Sequence, residues 1–404
     1  MTSGNGSLLR ERGEADSTKV TFVELFFDLV FVFAVTQLSH TLIERLTFVG
    51  ALETALLLMA VWWAWVYTSW ATNWLDPERP AVRLMLFALM LAGLVLSTSI
   101  PQAFGTRGLA FAAAHVFIQV GRCLFVLWAM RVASPANYLN FQRITAWLAL
   151  ASLFWIAGAL LEEGGRLAVW AVALLIEYVS PSLGFWTPGL GRSSTTDWDI
   201  AGSHMAERCG LFIIIALGES ILVTGAKFTA LTWTAPTVVA FLVAFFGSVA
   251  MWWLYFNVGA ETASRRISRS RDPGRLARLA YTYMHLPLVA GIIVAAVGDE
   301  LVLDHPAGHT EPRTAATLLA GPALYLLGNL MFKRATADRP ALSHMVGLAL
   351  LALLVPVAHL LQPLTLGAAT TLVLVVVAVW ETLSIKGIRH EALTEPSRRA
   401  PAPD

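Results

Sequence analysis

The 404 residues are 57% hydrophobic and only 14% charged, with a mean hydropathy of +0.65; soluble domains carry about a quarter charged residues. With 28 basic and 27 acidic residues the chain is nearly neutral and offers no field for nucleic acid. Composition thus excludes a soluble globular fold and specifies an all-α, polytopic membrane helical bundle.

Residues 1–20 are polar and of mixed charge, and read as a cytoplasmic tail. Glu24 and Asp28 interrupt the first apolar run, so it reads as a retained helix, not a cleaved signal peptide. A helix rises 1.5 Å per residue, so about 20 apolar residues cross the hydrocarbon. Spans are predicted at 21–41, 48–70, 81–100, 109–131, 142–162 and 166–184, followed by a linker, 185–202. Six more are predicted at 203–225, 234–257, 276–298, 314–332, 340–361 and 364–385, before a polar tail, 386–404. That makes twelve spans. On this count the opposite side receives only Arg45, Arg107, Arg166, Lys227 and Arg313, and Arg122 and Arg208 fall within spans. The remaining Lys and Arg gather on the side of the termini, which predicts both termini in the cytoplasm. The loop with Arg265, Arg266, Arg269, Arg271, Arg275 and Arg278 is the densest basic stretch; it reads as a topology anchor or as a binder of anionic headgroups.

The halves 21–184 and 203–385 echo each other. Trp62-Trp63 matches Trp252-Trp253, Glu177 matches Glu381, and Glu24 matches Glu207. Six spans per half is even, so the pattern predicts two parallel six-helix repeats, an arrangement that recurs in transporters.

Charges inside spans are costly and must face the bundle interior or water. Glu24 and Asp28 share a face of span one, and Ser39, three turns after Asp28, returns to it. Span seven places Arg208 and Glu219 on one face by the same eleven-residue spacing. Asp28, Arg122, Glu177, Arg208, Glu219 and His285 are the candidate path for a solute or ion. The competing reading has Arg122 bridging to Asp28 or Glu177 and locking helices together. His285 is either a proton-linked site or a neutral, hydrogen-bonded side chain beside Pro287. Glu24, Glu207 and Glu381 read as packing or interfacial charges.

The many tryptophans, including Trp70, Trp74 and Trp186, suit interfacial belts. Cys123 and Cys209 sit in apolar runs and read as small buried hydrophobes. Asp304, His305, His309 and Glu311 have metal-type side chains, but Pro306 and Gly308 break the register, so no metal is expected. The four lysines, Lys19, Lys227, Lys333 and Lys386, lie at span ends or in tails, so none is placed for a retinal Schiff base. Walker loops, zincin helices and nucleophile elbows are absent. No cofactor and no enzymatic activity are expected. The expected partners are the lipid bilayer and a small solute or ion, with a homo-oligomer left open.

Two stretches resemble known signatures. Val23-Glu24-Leu25-Phe26-Phe27-Asp28-Leu29-Val30-Phe31-Val32-Phe33-Ala34-Val35 resembles the opening signature of the bacterial low temperature requirement protein A family. The segment from His204-Met205-Ala206-Glu207-Arg208 to Gly218-Glu219-Ser220-Ile221 resembles its second signature. The resemblance implies a multi-spanning bacterial membrane protein tied to growth in the cold and leaves substrate and mechanism open. Phe26-Phe27-Asp28-Leu29-Val30-Phe31, with Ala34-Val35-Thr36, also looks like the pore-lining first helix of a potassium-channel family built from six-helix repeats. Leu29 stands where that family has a small residue, the preceding Arg is missing, and Cys209-Gly210-Leu211 departs from the motif.

Three functional expectations follow: a transporter or permease of unassigned substrate, a cation channel, or a non-transporting membrane protein serving cold adaptation or the envelope.

Overall fold

The computed structural model describes residues 7–10, 19–194, 202–257, 270, 272–336 and 341–394. Among them every extended regular element is helical. In chain order they are α1 (Phe22–Glu44), α2 (Phe48–Trp74), α3 (Pro80–Ser99), α4 (Gly108–Arg131), α5 (Pro135–Ala159) and α6 (Glu163–Val179). Then come α7 (Gly202–Ala230), α8 (Ala235–Phe256), α9 (Gly274–Asp304), α10 (Pro312–Thr336), α11 (Leu342–Leu360) and α12 (Pro363–Thr394). A helix lies on every predicted span. Ten of these helices among the described residues are long and apolar enough to cross a membrane; α5 and α6 are not. Asn137, Asn140, Gln142 and Arg143 dilute the first half of α5, and α6 has 17 residues. The chain is a multi-pass membrane protein. Large apolar side chains cover its outer surface, from Phe22 and Phe48 at one end of the chain to Leu372 and Leu383 at the other. That much exposed hydrocarbon is tolerable only in lipid.

The elements begin where their sequences dictate. Pro80 and Pro135 sit in the first turns of α3 and α5, where a missing N–H costs nothing. Glu24, in the first turn of α1, accepts from the Thr21 backbone N–H at 2.9 Å and lies where a helix N-terminus favours negative charge. Among the described residues two helices contain π turns, Phe117–Gly121 in α4 and Arg278–Tyr283 in α9, and each loosens the local hydrogen-bond ladder.

α2 is the most enclosed of the candidate spans. Its Trp62, Trp63 and Trp65 are almost wholly buried, and Trp70 and Trp74 are buried as well. The interfacial-belt expectation is corrected for Trp70 and Trp74: hydropathy cannot distinguish a tryptophan facing headgroups from one facing other helices. Trp186, by contrast, is half exposed. α9 and α10 pack closely at Gly291, where a methyl group would come within 2.6 Å of the Tyr325 backbone nitrogen.

α1 and α7 lie side by side, parallel and in register. Val20 meets Glu207, Glu24 meets His204 and Arg208, Asp28 meets Arg208, and Thr36 meets Glu219, always 180 to 187 residues apart. The residues matched between the halves do not share surroundings. Trp62-Trp63 is buried where Trp252-Trp253 is exposed, and Glu24 is buried where Glu207 is exposed. Of the basic loop, Arg275 and Arg278 are described, whereas Arg265, Arg266, Arg269 and Arg271 lie outside the described residues, as does most of the tail 386–404.

Candidate functional site

The α1–α7 seam carries ionisable groups at both ends. At the end that begins α1, Glu24, Asp28 and Arg208 are completely buried. Arg208 spreads its guanidinium over three acceptors. Nη2 donates to Asp28 Oδ1 at 2.6 Å, and Nη1 donates to Glu24 Oε1 at 3.1 Å and to Thr72 Oγ1 at 3.2 Å. Trp65 Nε1 donates to the same Asp28 oxygen at 2.7 Å. His204 Nε2 lies 2.9 Å from Glu24 Oε1. Arg10, from the segment before α1, reaches Glu24 Oε2 at 3.0 Å and donates through Nε to the Thr72 carbonyl. Two carboxylates thus meet two guanidiniums in a nearly dry site, a balance that makes their burial tolerable. The guanidinium of Arg208 also lies 5.8 Å from the Trp65 ring and 6.0 Å from that of Phe27, where ring faces favour a cation.

Beyond this network the seam is plugged by Phe31, Phe212, Trp62 and Trp65. Trp62 meets Phe212 edge-on with centroids 5.7 Å apart, and Trp65 packs on Phe212 at 4.5 Å. Past the plug, Thr36 Oγ1 donates to Glu219 Oε1 at 2.7 Å. Asp28 to Thr36 is eight residues, so the plug is about 12 Å deep. A small cleft opens there, lined among others by Thr36, Ser39, Glu219, Ser220 and Glu300. Lys227 closes the far end, bridging Glu300 at 3.2 Å and Asp304 at 2.8 Å.

The expected pairing of Arg122 with Asp28 or Glu177 is corrected. Asp28 belongs to Arg208, on the other side of α2. Glu177 lies 3.1 Å from His115 Nε2 and accepts from Trp155 Nε1 at 3.0 Å. Arg122 donates to Gln119 Oε1 at 2.7 Å and Thr68 Oγ1 at 3.2 Å and stands over the Tyr67 ring. The sequence spacing had fixed which face each charge occupies, but not which helix packs there.

His285 is fully engaged. Its Nδ1 donates to the Ala280 carbonyl, freed by the π turn, and its Nε2 accepts from the Tyr255 hydroxyl, both at 2.8 Å. These contacts suit the hydrogen-bonded alternative, and none of them reaches the seam. Glu381 holds α10, α11 and α12 together through Lys333 at 2.8 Å, His344 at 3.3 Å and Ser343. Glu207 is exposed and accepts from the Val20 backbone. Of the packing and interfacial alternatives, the contacts of Glu24 match packing, since it is buried among Arg10, His204 and Arg208.

Sequence reasoning missed Arg10, Thr36, Trp65, Thr72, His204 and Glu300. Of these, His204 carried a signal, since it opens the second signature. Arg10 carried none: it lies in a stretch whose composition reads as solvated tail.

This arrangement is a polytopic bundle whose two signature helices face each other. Residues 19–379 match the family model of the bacterial low temperature requirement A protein (LtrA), and the chain belongs to that family. It is 41% identical over 377 residues to the uncharacterized protein RA0937 of Rhizobium meliloti (strain 1021), covering 93% of this chain and 92% of that protein. No solved structure matches.

Proposed function

We propose that the protein is a transporter or permease of a small solute or ion in the bacterial cytoplasmic membrane, and that the α1–α7 seam is its route. The observation that carries this reading is the seam's construction: ionisable groups at both ends, an aromatic plug between them, and a cleft at the Glu219 end. Charges buried in a membrane protein mark solute pathways more often than packing alone requires. The structure then corresponds to a closed state, with the Arg208 network as the gate on the side of the N-terminus.

The reading includes twelve crossings in two parallel six-helix halves. Because α1 and α7 run in the same direction, α5 and α6 must both cross or both fail to cross. Two contacts favour crossing. Phe141, early in α5, packs edge-on against Trp74 at the end of α2. Arg166, early in α6, donates to the carbonyls of Ala103 and Gly105, in the α3–α4 loop on the opposite face. Arg10, Arg79, Arg83, Arg143 and Arg278 lie toward the face of the N-terminus, which supports a cytoplasmic assignment for both termini. The reading assigns no covalent chemistry to the chain.

The seam also suits a cation channel, because Glu219, Glu300 and Asp304 give its far end more acid than Lys227 balances. The charge balance of the buried network favours a third reading, a membrane protein that transports nothing. Purified full-length protein in liposomes separates the three. The vesicles carry a pH-sensitive dye and are challenged with Na⁺, K⁺ and mixed small-solute pools under imposed pH and voltage gradients. Saturable, gradient-coupled uptake that falls in Glu219→Gln is expected. Voltage-driven cation flux without saturation identifies the channel, and no flux under any gradient overturns both.

A further inference from the structure

Across α2 from the seam, a second polar site stands on its own. Arg122 is 1% exposed. Guanidinium stays charged in a protein, and a cation at the centre of a span costs about 2.5–3.5 kcal/mol even on insertion scales. Its hydrogen bonds go to Gln119, Thr68, the Ala64 carbonyl and the Cys123 sulfur, none of them a carboxylate. Among the described residues no carboxylate pairs with it. The Glu24–Asp28–Arg10–Arg208 network balances its own charges and lends it nothing. Uncompensated buried charge is among the most destabilising features a fold can carry.

Arg122 lines a narrow cavity of about 20 Å³, and Arg278 lines the same cavity. Arg278 donates to the Pro181 carbonyl at 2.8 Å and likewise has no carboxylate partner among the described residues. Tyr67, Trp70, Trp74, Phe141 and Thr282 supply the walls. Both arginines sit at π turns: Arg122 directly follows the one in α4, and Arg278 opens the one in α9. Such turns are frequent at functional sites because they re-aim side chains out of helical register.

We propose that this cavity binds a small free monoanion of halide size, held between the Arg122 and Arg278 guanidiniums. Two cations around one void supply the charge. The cavity admits a body of about one to two water volumes, which suits chloride or bromide and excludes a lipid phosphate with its glycerol. Trp74 and Phe141, packed edge-on, form its wall toward the start-of-α1 face. The site does not depend on whether the seam conducts.

The test is ion-specific stabilisation of the purified full-length protein. Unfolding temperature is measured in detergent at constant ionic strength while chloride or bromide replaces gluconate. A ligand that binds only the folded state stabilises in proportion to the logarithm of its saturation, so a saturating rise with halide is expected. In Arg278→Gln, half-saturation is expected to move up at least tenfold. Because Arg278 is only partly buried, that variant keeps the measurement open should Arg122→Gln fail to fold. Bromide in crystals of the protein is expected to give an anomalous peak between the two side chains. Equal unfolding temperatures in halide and gluconate overturn the proposal, as does an unchanged halide response in Arg278→Gln. Stabilisation only by phosphatidylglycerol, with no response to halide, also overturns it and assigns the arginines to a lipid phosphate.

Discussion

The two ends of the α1–α7 seam use the same helices and the same eleven-residue spacing, yet they are built oppositely. At the Arg208 end two acids and two guanidiniums are buried and balance one another's charge. At the Glu219 end a half-buried carboxylate holds one hydroxyl beside an open cleft. Burial makes the difference. Where water is excluded, each charge must be matched within the protein, so the network is rigid and closed. Where a cleft admits water, a carboxylate can stay unpaired and remain available to a solute. The first end should therefore respond to mutation mainly in stability, and the second mainly in function.

Removing Arg208 tests this most severely. Arg208→Ala leaves Glu24 with Arg10 and His204 but Asp28 with only Trp65, and both carboxylates are buried. Breaking a buried pair from one side costs about 3–5 kcal/mol, so little folded protein is expected by size-exclusion in detergent. Adding Asp28→Asn to an Arg208→Gln background removes one charge of each sign and should recover monodisperse protein. If Arg208→Ala alone gives wild-type yield and unfolding temperature, the network is not what holds this end shut.

Trp65 offers a smaller version of the same question. Its indole is the second donor to Asp28 Oδ1 and also part of the plug. Trp65→Phe keeps an aromatic ring and deletes the donor. A hydrogen bond to a charged group contributes about 1.5–3 kcal/mol, so a lowered unfolding temperature with protein still folded is expected. A Trp65→Phe protein that is fully stable would mean Arg208 satisfies Asp28 without help.

How much of this contrast was readable beforehand follows from what spacing encodes. The periodicity of a helix fixes faces, so Asp28 with Ser39 and Arg208 with Glu219 were correctly grouped, and these faces meet across the seam. It says nothing about which helix packs opposite, and Arg122 was accordingly offered the wrong partners. Hydropathy located a helix at every expected span but could not judge α5, whose Asn137, Asn140 and Arg143 are polar by composition although Asn140 and Arg143 are buried. Arg10 was illegible because its role depends on residues 8–10 folding back onto the end of α2, where the Arg10 N–H donates to the Trp74 carbonyl at 2.8 Å. Tryptophans misled for a related reason: a side chain that suits an interface also suits a core when a carbonyl awaits its N–H, as Thr282 does for Trp62 at 2.6 Å.

At the open end the expected effects on stability shrink and those on transport grow. Glu219→Gln keeps an acceptor for the Thr36 hydroxyl and removes the charge. Its unfolding temperature is expected to stay near wild type, while flux in the liposome assay drops at least tenfold. Normal flux with lowered stability would reverse the comparison and make Glu219 a packing residue.

The smallest effect separates the hydroxyl from the carboxylate. Thr36→Val is nearly isosteric and deletes only the donor to Glu219; the same hydroxyl also lies 3.3 Å from the Val32 carbonyl. Net hydrogen-bond contributions of about 0.5–1.5 kcal/mol set the ceiling on lost stability, and a hydrated carboxylate can replace its lost donor with water, so the measured loss should fall at the low end. Freed from Thr36, Glu219 gains rotamers within the cleft. If the carboxylate is a station for a solute or ion, the change should appear as a shift in half-saturation of uptake with maximal rate preserved. A variant that instead loses as much stability as Trp65→Phe would show that water does not reach Glu219. The two ends of the seam would then be equally dry, and the distinction between gate and cleft would fail.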